Sequence, residues 1–131
     1  MIDHVSIAVR DLAASAKFYR AVLATIGHAE LVARPDTVGF GKKYPEFWLN
    51  LRPAAAKVDA DTGVHVCLRA AGAAAVDAFH AAAVSAGGSC DGPPGFRPQY
   101  AAGYYAAFIR DGDGNGIEAV TFVKPGGASE R

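Results

Sequence analysis

The chain repeats itself, and that constrains its fold more than any other feature. Displaced by 61 residues, "HVSIAVRDLAASAKFYRAVLATIG" (residues 4–27) lies over "HVCLRAAGAAAVDAFHAAAVSAGG" (residues 65–88), pairing His4 with His65, Val5 with Val66, Phe18 with Phe79 and Gly27 with Gly88. Alanine matches carry little weight in so alanine-rich a chain. The two HV pairs, the two phenylalanines and the two terminal glycines are the informative matches, and all fall in register. A repeat of this kind makes each copy one supersecondary unit that must bury its apolar side against something else.

Each copy opens with a strand pattern. Val5, Ile7 and Val9 alternate with His4, Ser6 and Ala8, and Val64, Val66 and Leu68 alternate with His65, Cys67 and Arg69, so each histidine lies on the less apolar face. A helix pattern follows: Leu12, Ala16, Tyr19, Leu23 and Ile26 recur at helical spacing, as do Val76, Phe79 and Ala83, and both runs stop at glycine. The apolar strand face should pack on the helix, leaving the histidine face turned away from it. Shorter extended pieces are expected at residues 29–34, 37–41 and 46–51, and again at 88–91, 103–110 and 116–123. The unit is βαβββ, twice, an α+β fold in one domain: residues 1–52 and 63–124 form the modules and a polar, Pro/Gly-bounded linker joins them. Residues 125–131 read as a disordered tail.

Composition excludes several function classes. The 131 residues are 51% hydrophobic, and 13 basic side chains balance 13 acidic ones, so neither disorder nor nucleic-acid binding is expected. No apolar run approaches the roughly 20 residues of a membrane helix. Cys67 and Cys90, without a CxxC pair or a leader, fit reduced thiols in a cytoplasmic protein.

"DGDGNGIEAV" (residues 111–120) imitates the start of an EF-hand loop, but the twelfth position holds Phe122 where a bidentate Glu is required, and the flanks look like strands. It reads instead as a hairpin turn. Just beyond it stands Glu118, a carboxylate in an apolar strand, which is costly there unless paired or bound to a metal.

The paired βαβββ modules, the opening "IDHVSIAVRDLAASAKFYRAVLATIG", the second "GVHVCLRA" and the closing "RDGDGNGIEAV" resemble the vicinal oxygen chelate superfamily of glyoxalase I, extradiol dioxygenases, fosfomycin-resistance transferases and bleomycin-resistance proteins. The resemblance covers nearly the whole chain. It implies modules curled into an open, barrel-like mixed sheet around a divalent metal (Zn, Ni, Fe(II) or Mn), with His4, His65 and Glu118 as ligands. It also implies a small-molecule substrate and a homodimer, the site being built either within one chain or from His4 of one copy with His65 and Glu118 of the other. In the repeat itself, His4 and His65 hold equivalent positions, as ligands converging on one surface should. His28 and His80 read as satisfied structural histidines, Cys67 as a small buried thiol, and Asp3 and Arg69 as strand-end charges.

Glyoxalase I carries a further Glu on the last strand of the first module. Here that strand is "PEFWLNL", which puts Trp48 opposite Glu118, or Asn50 if the register slips by two. A three-ligand set moves the expectation away from a standard glyoxalase I reaction. Substrate walls are expected from Trp48, Asn50, Phe40 and a proline-stiffened loop, residues 91–105. In that loop Arg97 offers a cation for a carboxylate and Tyr100, Tyr104 and Tyr105 offer phenols; Tyr105 and Tyr100 are the acid-base candidates and Tyr104 a substrate contact, although only one of Tyr104 and Tyr105 can face the cavity. The favoured function is a metal-dependent enzyme of lyase, isomerase or dioxygenase type. The alternative is a metal-free binding protein of bleomycin-resistance type, and fosfomycin-type thiol transfer ranks last because cations for a phosphonate are few.

Overall fold

The computed structural model describes residues 1–125; all but the first residue of the tail expected at 125–131 lies outside the described residues. The elements run β1 (Val5–Val9), α1 (Leu12–Ala24), β2 (Ala29–Ala33), β3 (Thr37–Gly41), β4 (Phe47–Leu51), β5 (His65–Arg69), α2 (Ala73–Ser85), β6 (Ser89–Phe96), β7 (Tyr104–Arg110) and β8 (Gly116–Phe122). They form two four-stranded mixed sheets, ordered β1-β4-β3-β2 and β5-β8-β7-β6, in which the first strand of each module runs parallel to the last and the other pairs are antiparallel. This is the βαβββ unit twice, in sheets that curl without closing. None of the described helices is long and apolar enough to cross a membrane.

Strand parity acts as the sequence suggests. Val9, Phe47 and Leu49 in the first sheet and Ile109, Ile117 and Ala119 in the second are buried, and Val5, Ile7, Val66 and Leu68 pack against the same core. The helices supply Tyr19, Val22, Leu23, Val76 and Phe79. One apolar cluster therefore spans both modules, with the helices at its centre and the histidine-bearing sheet faces outside it. Phe40, expected as a cavity wall, is fully buried here, because its partner in the ladder is Phe47, on the helix-facing side.

Both helices end on glycines with positive φ, 81° at Gly27 and 102° at Gly87, which lets the chain reverse where a Cβ would be strained. Asp11 caps α1 by accepting the Ala14 N–H at 3.0 Å. The loop expected at residues 91–105 is in part a strand. β6 runs through Pro93 and Pro94 to Phe96, with register shifts between Cys90, Gly92 and Gly95. Prolines are tolerated there because they fall in the register break between Gly92 and Gly95 of an edge strand, where the ladder with β7 needs no N–H from them.

The turn at residues 111–115 joins the modules. Asp111, 7% exposed, accepts the Asp113 and Asn115 amides at 2.9 Å each and the Tyr19 hydroxyl at 2.6 Å. Asp113 accepts Arg10 Nε at 2.7 Å and the Arg10 amide at 3.1 Å, and Asn115 Nδ2 donates to the Ala8 carbonyl at 2.9 Å. The linker docks on the same turn, Val58 donating to the Asp113 carbonyl at 2.8 Å. These acidic oxygens accept from amides of their own turn and from Tyr19 and Arg10 of the first module, so the calcium-loop imitation is a clasp. Burial, and then the Asp111 charge, raise the Tyr19 hydroxyl well above the usual phenol range.

Candidate functional site

The outer face of the second sheet gathers the chemistry. Parallel register sets His65 beside Gly116 and Cys67 beside Glu118, and antiparallel register sets Phe108 beside Glu118 and Tyr104 beside Phe122. His65, Cys67, Glu118, Tyr104 and Phe108 thus share one face by pleat parity. Glu118 is only 2% exposed. His65 Nε2 donates to its Oε1 at 2.9 Å and the Tyr104 hydroxyl donates to its Oε2 at 2.5 Å, so both carboxylate oxygens are satisfied by side chains that open to solvent. The His65 ring also rests edge-on against Phe108.

Tyr104 and Tyr105 resolve by the same parity. Tyr104 stands on Glu118, flanked by Tyr100 and Phe122 rings at 5.3 and 5.4 Å. Tyr105 points to the opposite side, donating to Asp77 of α2 at 2.6 Å, so Tyr104, and not Tyr105, shares the face of Glu118. Burial first, and Glu118 second, raise the Tyr104 hydroxyl well above the phenol range, which keeps it a donor. The Cys67 residue is exposed, yet desolvation of its sulfur, and then the neighbouring carboxylate, push the thiol up to about 12; it is a neutral group in the site.

The first sheet presents a different face. Ser6 pairs with Trp48 as Cys67 pairs with Glu118, so Trp48, not Asn50, occupies the counterpart of the carboxylate. Arg34 lies 5.4 Å over the Trp48 ring. Trp48 and Asn50, both half-buried, share this face.

His4 is not brought to Glu118. Its Nδ1 donates to Asp3 at 2.7 Å, and that bond together with one from Tyr44 holds the Asp3 carboxyl below its usual range. His4 and His65 do line one groove of about 470 Å³ between the free edges of β1 and β5. Among the described residues, however, no three His, Cys, Asp or Glu side chains gather closely enough to hold a metal ion. One chain supplies an imidazole and a carboxylate that satisfy each other, and by itself does not complete a three-ligand set. His28 and His80, expected to be satisfied, leave Nδ1 and Nε2 respectively without a hydrogen-bond partner among the described residues; burial, then Lys42, lower the His28 pKa and favour its neutral ring.

Sequence reasoning missed the Tyr104–Glu118 bond and the clasp. The clasp joins residues 103 positions apart, and only the ladder register reveals the Tyr104–Glu118 bond.

The family model described as Glyoxalase/Bleomycin resistance protein/Dioxygenase superfamily matches residues 1–119. Among solved structures, a glyoxalase/bleomycin resistance protein from Albidiferax ferrireducens T118 is 35% identical with a TM-score of 0.81, covering 92% of this chain and 98% of that one. The fosfomycin resistance protein FosX from Mesorhizobium loti (17% identity, TM-score 0.66, 92% and 90% covered) and lactoylglutathione lyase from Agrobacterium tumefaciens (23%, 0.63, 92% and 92%) share the fold. No curated protein matches the chain.

Proposed function

The chain belongs to the glyoxalase/bleomycin resistance protein/dioxygenase superfamily, and from that premise we propose that it is a metal-dependent enzyme acting on a small organic molecule, its site completed between two copies. The observation that carries this reading is Glu118, a buried carboxylate held by His65 and Tyr104 on a sheet face that its own chain leaves uncovered. His65 and Glu118 of one copy, with His4 of a second, would hold the ion; two imidazoles and one carboxylate suit Zn, Ni, Fe(II) or Mn. Such an ion supplies Lewis-acid polarisation of a substrate oxygen, as a lyase, isomerase or dioxygenase requires. The remaining work falls to this chain's residues. Tyr104 holds its proton against Glu118 and fixes the carboxylate, while Tyr100 braces the Tyr104 ring. Trp48 and Asn50 of the facing module, with Arg97, line the cup around the substrate. Trp48 in place of a carboxylate argues against a standard glyoxalase I proton shuttle. In this reading residues 1–124 act as one domain, in the cytoplasm, with neither nucleic acid nor membrane as partner.

The test is metal content of chelator-treated, reloaded protein by plasma emission. Wild type should hold one ion per chain, and His4→Ala and His65→Ala should each lose it. Dimers formed between these two variants should regain one ion per dimer, because one of the two shared sites then has all its ligands. Stoichiometric metal in either variant alone ends the reading, and mixed dimers without metal end the sharing.

A second reading, a metal-free binding protein for flat aromatic molecules, is favoured by the self-satisfied His65–Glu118 pair and by Arg34 stacked on Trp48. Titrating Trp48 fluorescence with aromatic ligands separates the two: EDTA leaves affinity unchanged if this reading holds and weakens it if the first does.

A further inference from the structure

Three arginines lie over aromatic rings on the open sheet faces: Arg34 over Trp48 at 5.4 Å, Arg69 over Phe122 at 5.1 Å and Arg97 over Phe108 at 5.5 Å. Arg10, Arg20 and Arg110, by contrast, reach Asp113, Glu30 and Asp91. No carboxylate among the described residues pairs with Arg69 or Arg97. On the second sheet's open face stands Glu118, whose oxygens already accept from His65 and Tyr104. A chain with thirteen bases and thirteen acids thus carries a local excess of positive charge beside its most polar cluster.

The two arginines differ in what they have left to offer. Arg97 gives Nη1 to the Gly95 carbonyl at 2.9 Å and Nη2 to the Pro93 carbonyl at 2.7 Å. Its seat depends on Gly92, where a Cβ would stand 3.2 Å from Nη2 and 3.0 Å from Phe108. Arg97 is therefore fixed and contributes charge. Arg69 is oriented by Phe122 beneath it. It follows Cys67 by two residues on the same strand face, and the Cys67 thiol feels both the Arg69 and the Glu118 charge. A guanidinium stacked on a ring and facing solvent presents a planar fork matched to a carboxylate.

We infer that the ligand of this face is a small organic acid with an aromatic or planar body, its carboxylate received in bidentate fashion by Arg69 and its body lying among Phe108, Phe122 and Tyr104. The inference rests on the reading that this face is the site and is independent of the metal assigned to it. The test uses the full chain, isotope-labelled and kept in EDTA, titrated with benzoate and with benzamide while backbone amide resonances are followed. Benzoate should shift amides of β5, β7 and β8 and bind at least about tenfold more tightly than benzamide, the scale of a charged hydrogen-bond pair. Arg69→Gln should reduce benzoate to the benzamide level, and Arg69→Lys, which keeps charge without the fork, should fall between. Equal affinities in the wild type, unchanged benzoate binding in Arg69→Gln, or no saturable benzoate shifts would each overturn it. Because no metal is present in any arm, loss of the three-ligand reading leaves this result standing, and its failure leaves the metal analysis untouched.

Discussion

The two modules agree on their buried sides and differ on their open ones. Phe18 and Phe79 hold equivalent places in a common core, and each sheet has the same strand order. At the register position where the second sheet holds Glu118 the first holds Trp48. The hairpin turns differ too. The turn before β8 reaches across to Tyr19, Arg10 and Ala8, whereas the turn before β4 sends the Tyr44 hydroxyl to Asp3 of its own module, at 2.8 Å on the exposed surface. Packing kept the repeat where both copies must fill one interior, and freed it where each faces solvent. The open faces differ accordingly: a buried carboxylate on one, an indole beneath Arg34 on the other.

The equivalence of the buried halves is tested most severely at the core. Phe18→Ala and Phe79→Ala should each lower unfolding free energy by about 3–5 kcal/mol, measured by urea denaturation; losses that differ by more than about 2 kcal/mol, the width of that range, would break the equivalence. The asymmetry of the turns is the next contrast. Asp111→Ala strips the acceptor from the Tyr19 hydroxyl and from two amides and should cost about 1–3 kcal/mol, while Tyr44→Phe should leave the transition where it was. Equal effects would erase the distinction between a clasp and a surface contact. The smallest expected effect is in pH. The folded state raises the Tyr19 hydroxyl above its unfolded value, so the stability it gives is fully present below pH about 10 and is lost as pH rises further. The thermal midpoint should fall between pH 9.5 and 11 (approximate bounds set by the ordinary phenol pKa), less steeply in Tyr19→Phe, where the titrating group is gone.

Much of the fold was legible because the repeat and the period-two strands state it directly: the inward faces of Val5, Ile7, Val66 and Leu68 and both glycine helix ends follow from position alone. His65 and Glu118 were expected as separate ligands of one ion, and their direct hydrogen bond to each other was not legible. Nor was which tyrosine met Glu118, since parity within β7 depends on where the ladder with β8 begins. β6 was obscured by Pro93 and Pro94, which read as loop until the sheet shows that the strand has a neighbour on one side only. Arg69 looked like a strand-end charge because its ring partner, Phe122, lies 53 positions away.

Those prolines also bear on how copies of the chain can meet. β6 forms one margin of its sheet, and a foreign strand laid along it would meet a proline pair that cannot supply a full row of amide hydrogens and a ladder already broken at Gly92. Open-ended stacking into fibres is disfavoured at that margin.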